Sequence, residues 1–194
     1  MTFLCIGLLL FLGVHLVRAL APGVRAAAVA RIGEGAWKGL YALVSVAGLV
    51  LVVIGYGEAR EAPTLVYAPP AWARHIAHVL TLVAFILLFA PYFGRNHFRA
   101  RFGHPMVLGV KAWALAHLLA NGALHDVLLF GSFLAWGVVA FVLLRRRDRA
   151  LGTVPIEPSW SATALTVAAG TIAWFVFARW LHPMWIGVPV FPGG

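Results

Sequence analysis

Cysteine is almost absent from this chain. With the single thiol Cys5 there is no intramolecular disulfide and no cysteine-rich metal centre, so a stapled scaffold, a zinc ribbon and an iron–sulfur site are all excluded. Charge is nearly as scarce, at 11% of residues, and acids are the scarcer sign: Asp and Glu number 6 against 15 Lys and Arg. A hydrolase built on an acid and base carboxylate pair has little to draw on here. No H-E-x-x-H run, nucleophile elbow or phosphate-cradling glycine loop occurs either. The net charge of +9 would suggest nucleic acid in a soluble protein, but the basic residues flank apolar runs and do not gather on one face, so no nucleic-acid partner is expected.

What the chain does have is apolar length. Hydrophobic residues make up 62% of its 194 positions, and several runs approach the ~20 residues that a spanning helix needs. The pattern predicts an all-α polytopic transmembrane bundle of about six spans, one integral membrane domain over residues 1–194, with the lipid bilayer as its first partner. The spans are expected at about 2–21, 39–56, 71–93, 105–120, 124–144 and 160–181, with 22–38 a polar stretch, 57–70 a loop, 94–103 too charged to insert, and a proline-rich tail. Gly48 and Gly55 lie seven apart on one stripe of the second span, where they allow close helix approach. Basic residues alternate between connections. Arg18, Arg25, Arg31 and Lys38 fall in the first, Arg95, Arg99 and Arg101 in the third, and Arg145, Arg146, Arg147 and Arg149 in the fifth; the second has Arg60 and Arg74, the fourth none. The positive-inside rule then puts the odd connections in the cytoplasm and both termini outside it.

The stretch 104–131, HPMVLGVKAWALAHLLANGALHDVLLFG, carries three histidines, a lysine and an aspartate inside this apolar setting. Such residues at membrane depth mark a cavity, a pathway or a cofactor. Haem asks only for one or two neutral imidazoles facing an apolar slot, and the cofactor itself carries the chemistry. His15 and His117 both lie within spans. Trp113, His117 and Asn121 are each four apart on one helical face, offering an aromatic wall, a ligand and a polar group near the helix end. Lys111 is on another face, where its ammonium can snorkel to headgroups or serve near a propionate or substrate. His75, His97, His125 and His182 fall near interfaces, where a polar ring is at home; His78 and His104 are intermediate.

HPMVLGVKAWALAHLLANG and LLFGSF, with FLGVHL near the start and KGLYALVS at the entry to the second span, resemble the NnrU family of bacterial membrane proteins, itself similar to 15-cis-zeta-carotene isomerase. The resemblance covers residues 1 to about 149, leaving 150–194 as an additional helix and tail. It implies a multi-pass protein of the bacterial inner membrane with a part in denitrification, in nitrite and nitric oxide metabolism, and reductase components as partners. Carried over by position, it implies haem b with His15 and His117 as iron ligands. Alongside an accessory or redox haem protein stand two other readings: a haem-dependent cis-trans isomerase of a carotenoid-like polyene, and a non-catalytic scaffold for reductase assembly. The isomerase has a cysteine three residues before its second histidine; Ala114 stands there in this chain, which leaves redox-driven thiolate exchange without its sulfur.

Depth names a different partner for His117. His15 is seven residues, about 10 Å, from Pro22 at one end of its span, and His117 is five residues, about 7 Å, from Gly122 at the opposite end. Across a ~30 Å core that leaves about 13 Å between them, whereas two axial nitrogens at metal–nitrogen bonds of about 2 Å stand only ~4 Å apart. His78 matches the level of His117 better and is the alternative ligand. Reporter fusions test the topology. Those after Arg149 and within 95–101 are expected to report cytoplasm and one within 61–68 the outside, and a cytoplasmic signal from 61–68 would overturn the six-span reading.

Overall fold

The computed structural model describes residues 1–154 and 156–191, apart from the side chains at 18, 19 and 22. The Arg18 side chain, Pro155 and the last three residues of the tail therefore lie outside the described residues. Helix α1 (Thr2–Leu20) turns at Ala21 into α2 (Pro22–Glu61), and the two form an antiparallel hairpin. The expected polar stretch after the turn is itself helical. Proline opens α2, where its missing N–H costs nothing, and the alanine-rich run 26–30 has the highest helix propensity in that region. The only break falls at Gly33, whose φ of 80° is open to a residue without Cβ.

Small residues hold the hairpin together. A Cβ on Gly7 would stand 2.5 Å from the Val52 nitrogen and one on Gly48 2.7 Å from the Phe11 nitrogen, while Gly55 faces the Leu4 backbone. The Gly48 and Gly55 stripe thus does what its spacing implies. It sets the register Leu4–Gly55, Gly7–Val52, Phe11–Gly48, which later fixes what stands beside His15.

Helix α3 (Ala73–Phe89), continued by a 3-10 turn (Ala90–Tyr92), packs on α5 (Pro105–Ala120) and α7 (Trp160–Val176); α6 (Leu124–Ala150) lies against α5 and α1. A short helix α4 (His97–Phe102) occupies the charged connection 94–103, capped by the fully buried Asn96, whose side chain accepts from the Arg99 N–H at 3.0 Å and donates to the Ala90 carbonyl at 2.7 Å. α7 continues through a π segment (Phe177–Leu181) into α8 (His182–Ile186). Among the described residues four helices are long and apolar enough to cross a membrane, and two shorter apolar ones, Thr2–Val17 and Pro105–Ala120, accompany them. α6 runs past residue 144 because the arginines after it are good helix formers. At this arginine end the His104 Nε2 meets the Asp148 carboxylate at 2.9 Å, and Arg145 flanks it at 3.7 Å. His97 is occupied too: its backbone N–H donates to the Thr163 hydroxyl at 3.0 Å and its ring lies 4.0 Å from that of Trp160, docking α7.

Because Gly48 touches backbone, Gly48→Leu is expected to destabilise by roughly 1–3 kcal/mol, seen as a lower melting temperature in mild detergent. Gly57→Ala, which meets nothing within 4 Å, is the matched control; equal melting of both variants would contradict the glycine register.

Candidate cofactor site

α6 carries a column of rings on the face it turns to α1 and α5. Phe130, one turn and a half into the helix, stacks on His117 at 4.5 Å and meets Trp113 edge-on at 5.1 Å. Phe133 lies 5.3 Å from Trp113 and 5.9 Å from Phe11. Trp136 then meets His15 edge-on at 6.4 Å. His117 and His15 therefore close the two ends of one aromatic column, with Phe11, Trp113 and Phe133 between them. The levels they touch on α6, Phe130 and Trp136, are six residues or about 9 Å apart along the axis.

The two imidazoles are held alike. The Nδ1 of His117 contacts the Trp113 carbonyl at 2.9 Å, and that of His15 contacts the Phe11 carbonyl at 2.6 Å. A carbonyl only accepts, so each Nδ1 carries the hydrogen and each Nε2 keeps its lone pair. Neither Nε2 has a hydrogen-bond partner among the described residues. This is how a ligating histidine is oriented: the remote nitrogen is anchored and the near one is free for a metal or a donor.

Around His15 two further polar atoms are enclosed without a partner among the described residues, the Ser45 hydroxyl and the Trp136 indole N–H. The α1–α2 register places Ser45 at the level of His15, since it is three residues back from Gly48 while His15 is four on from Phe11. Tyr41, one turn further along α2, lies 5.4 Å from the His15 ring. Ala114, one turn before His117 and its neighbour Leu118, is fully buried and brings no sulfur to the column.

At the other end of α5 the chain covers its own turn. Asn121 caps the helix: its side-chain amide donates to the His117 carbonyl at 2.9 Å, and its backbone carbonyl accepts from the Tyr67 hydroxyl at 2.7 Å. That hydroxyl also bonds the Leu118 carbonyl. The Val66 N–H donates to the Gly122 carbonyl at 2.8 Å and the Leu124 N–H to the Thr64 carbonyl at 2.8 Å. The loop after α2 is thus strapped over the α5–α6 turn, which explains how a sixteen-residue helix ends: its last carbonyls are met by protein. Burial, and after it the Asp126 carboxylate, push the Tyr67 hydroxyl above the ordinary tyrosine range, so it stays a donor. Beneath the strap, Asp126 accepts from the Tyr56 hydroxyl at 2.6 Å and lies 3.6 Å from the His125 Nε2.

The other sequence candidates lie apart from the column. His78 turns to the tail, its Nε2 donating to the Val190 carbonyl at 3.1 Å and its ring stacked on Phe191 at 5.6 Å. His182 donates to the Val188 carbonyl at 2.8 Å, and His75 is exposed. Lys111 lays its stem against Gly137 and its ammonium 5.2 Å over the Phe141 ring. Trp136, Ser45 and the Tyr56–Asp126 pair were not legible as site residues. They lie on helices far apart in sequence, and their local patterns are those of ordinary spans.

These features define a polytopic helical membrane protein with an imidazole-bearing column of packed aromatic rings among α1, α5 and α6. The family model described as NnrU protein matches residues 3–190, a stretch that takes in α7 as well as the residues that carry the sequence resemblance. The chain belongs to the NnrU family. No curated protein and no solved structure matches it.

Tyr67→Phe removes the donor to the α5 end and leaves two carbonyls short, an expected loss of about 1–3 kcal/mol. Amide hydrogen exchange checks it: exchange over 118–124 should quicken at least several-fold, and unchanged protection there would contradict the strap.

Proposed function

We propose that this NnrU-family membrane protein is a b-type haem protein with an accessory or redox role in nitrogen-oxide metabolism, and that His117 is its iron ligand. One observation carries the reading. His117 has Nδ1 fixed on a backbone carbonyl, Nε2 without a hydrogen-bond partner among the described residues, and Trp113 and Phe130 as aromatic walls. The donor chemistry fits haem, since an anchored neutral imidazole beside apolar rings is what an axial ligand requires. Haem, when bound, supplies one-electron chemistry or an open position for a small ligand. This chain's residues supply orientation and exclusion of water: the Trp113 carbonyl holds the ring, Phe130 stacks on it, and the strap at Tyr67 closes the near end.

The family resemblance pairs His15 with His117 on one iron. The α6 residues that the two rings touch are about 9 Å apart in axial rise, which sets His15 at a different level, and the proposal gives the iron to His117 alone. His78, spent on the Val190 carbonyl, is not its partner in this reading. The polyene isomerase reading gains nothing from the site, because buried Ala114 replaces the sulfur that a redox change of ligand needs.

Protein purified in mild detergent from haem-replete cells should show a Soret band. His117→Ala should lower haem content at least about ten-fold while His78→Ala leaves it near wild type. A missing Soret band in the wild type, or full retention in His117→Ala, would overturn the proposal.

A further inference from the structure

The bundle gathers its arginines at one end and leaves several of them without a carboxylate. α1 and α6 run in the same sense, Phe11 meeting Phe133 and His15 meeting Trp136, so the α1–α2 turn lies at the end where His104 meets Asp148. The Ser159 N–H donates to the Arg95 carbonyl at 2.6 Å and brings the start of α7 there too. All three arginine-rich connections therefore share this end. Of its acids, Asp148 is held by His104 and Arg145, and Glu34 by Lys38. Arg146, Arg147 and Arg149 are exposed and make no ion pair among the described residues. Arg146 and Arg149, three apart on one side of the helix, repel each other and attract an anion set between them.

The length of α6 sets their height. Its 27 residues rise about 40 Å against a hydrocarbon core of ~30 Å, and with His125 and Asp126 of its first turn buried in protein the surplus emerges at the arginine end. Tyr92 and Trp160, 73% and 77% exposed at that end, mark the headgroup level, where amphipathic rings settle. The exposed Val139 and Val142 each precede Arg146 and Arg149 by seven residues, so the four share one stripe, turned away from the buried Gly137 and Ala140. That stripe is apolar where acyl chains run and cationic where phosphates stand. A second surface of this kind lies past the α1–α2 turn, where the exposed Val24 and Ile32 form a stripe with Ala28 and Arg25 and Arg31 flank it. We propose that Arg146 and Arg149 hold the phosphodiester of an anionic phospholipid whose acyl chains lie along Val139 and Val142, and that Arg25 and Arg31 extend the same surface. The planar guanidinium matches two phosphate oxygens at once, and a lipid with no ammonium of its own leaves the local positive charge answered. The inference is independent of what His117 holds.

Native mass spectrometry of the full chain, released from mixed micelles holding equal phosphatidylglycerol and phosphatidylcholine, tests it. The wild type should carry the anionic lipid at least about five-fold more often than the zwitterionic one, as arginines at headgroup level supply. Arg146→Gln combined with Arg149→Gln should remove most of that preference, while Arg74→Gln, exposed at the opposite end, should leave it unchanged. Arg146→Lys combined with Arg149→Lys keeps the charge that sets topology and loses the planar fork, so its preference should fall between wild type and the glutamine pair, which tells loss of the site from loss of the fold. Equal uptake of the two lipids by the wild type, or a preference kept whole in the glutamine pair, would overturn the proposal. Displacement of the anionic lipid by inorganic phosphate at matched concentration would overturn it as well, by making the surface a site for the free anion.

Discussion

Lipid offers no hydrogen bonds, so a chain this apolar must satisfy its polar groups within itself. The fold is organised around that demand. The α5 end is met by Tyr67 and the strap of residues 64–67, the α3–α4 connection by Asn96, and the arginine end by His104 against Asp148. Against this background of satisfied ends, the atoms left over are informative. Among the described residues they include the Nε2 of His117 and of His15, the Ser45 hydroxyl and the Trp136 indole along the α6 column, and the Nδ1 of the buried His125 at the strap end.

α6 acts as the ruler of the site. Its rings at Phe130, Phe133 and Trp136 receive α5 from one side and α1 from the other, and the tight glycine register of α1 on α2 brings Ser45 and Tyr41 to the same level as His15. Because the two hairpins run in opposite senses, moving four residues past the shared Phe11–Phe133–Trp113 layer carries His15 toward the arginine end and His117 toward the strap. Their separation follows from topology, not from a loose side chain. Family membership does not depend on it, and neither does the all-α membrane architecture.

Much of the fold was legible because its signals are local. Pro105 and Asn121-Gly122 bound α5 to the residue, Trp160 opens α7, and the Gly48–Gly55 stripe announced a close helix pair. Residues 22–38, expected as a polar connection because Arg25, Arg31, Glu34 and Lys38 look like linker charge, are helical on both sides of a break at Gly33, with alanine propensity favouring the first part. The site was legible only in part. His15, Trp113 and His117 stood out as polar or aromatic groups within spans, but their mutual level depends on how α1 and α5 meet α6. The tail that engages His78 lies 112 residues away, and the Tyr56–Asp126 bond spans 70. Asn121, expected as a site group from its helical face, also caps its own helix, since the chain leaves helical geometry at that residue.

In the proposed site one imidazole, His117, would meet the iron, and the α6 residue that His15 touches lies about 9 Å further along that helix. Electron paramagnetic resonance of the ferric, haem-loaded wild type tests it most directly, because the number of strong axial nitrogen ligands sets the spin state. A high-spin signal, converting to low spin when imidazole is added, is the predicted result. A low-spin spectrum of two histidine ligands without added imidazole, lost in His15→Gln, would contradict the account.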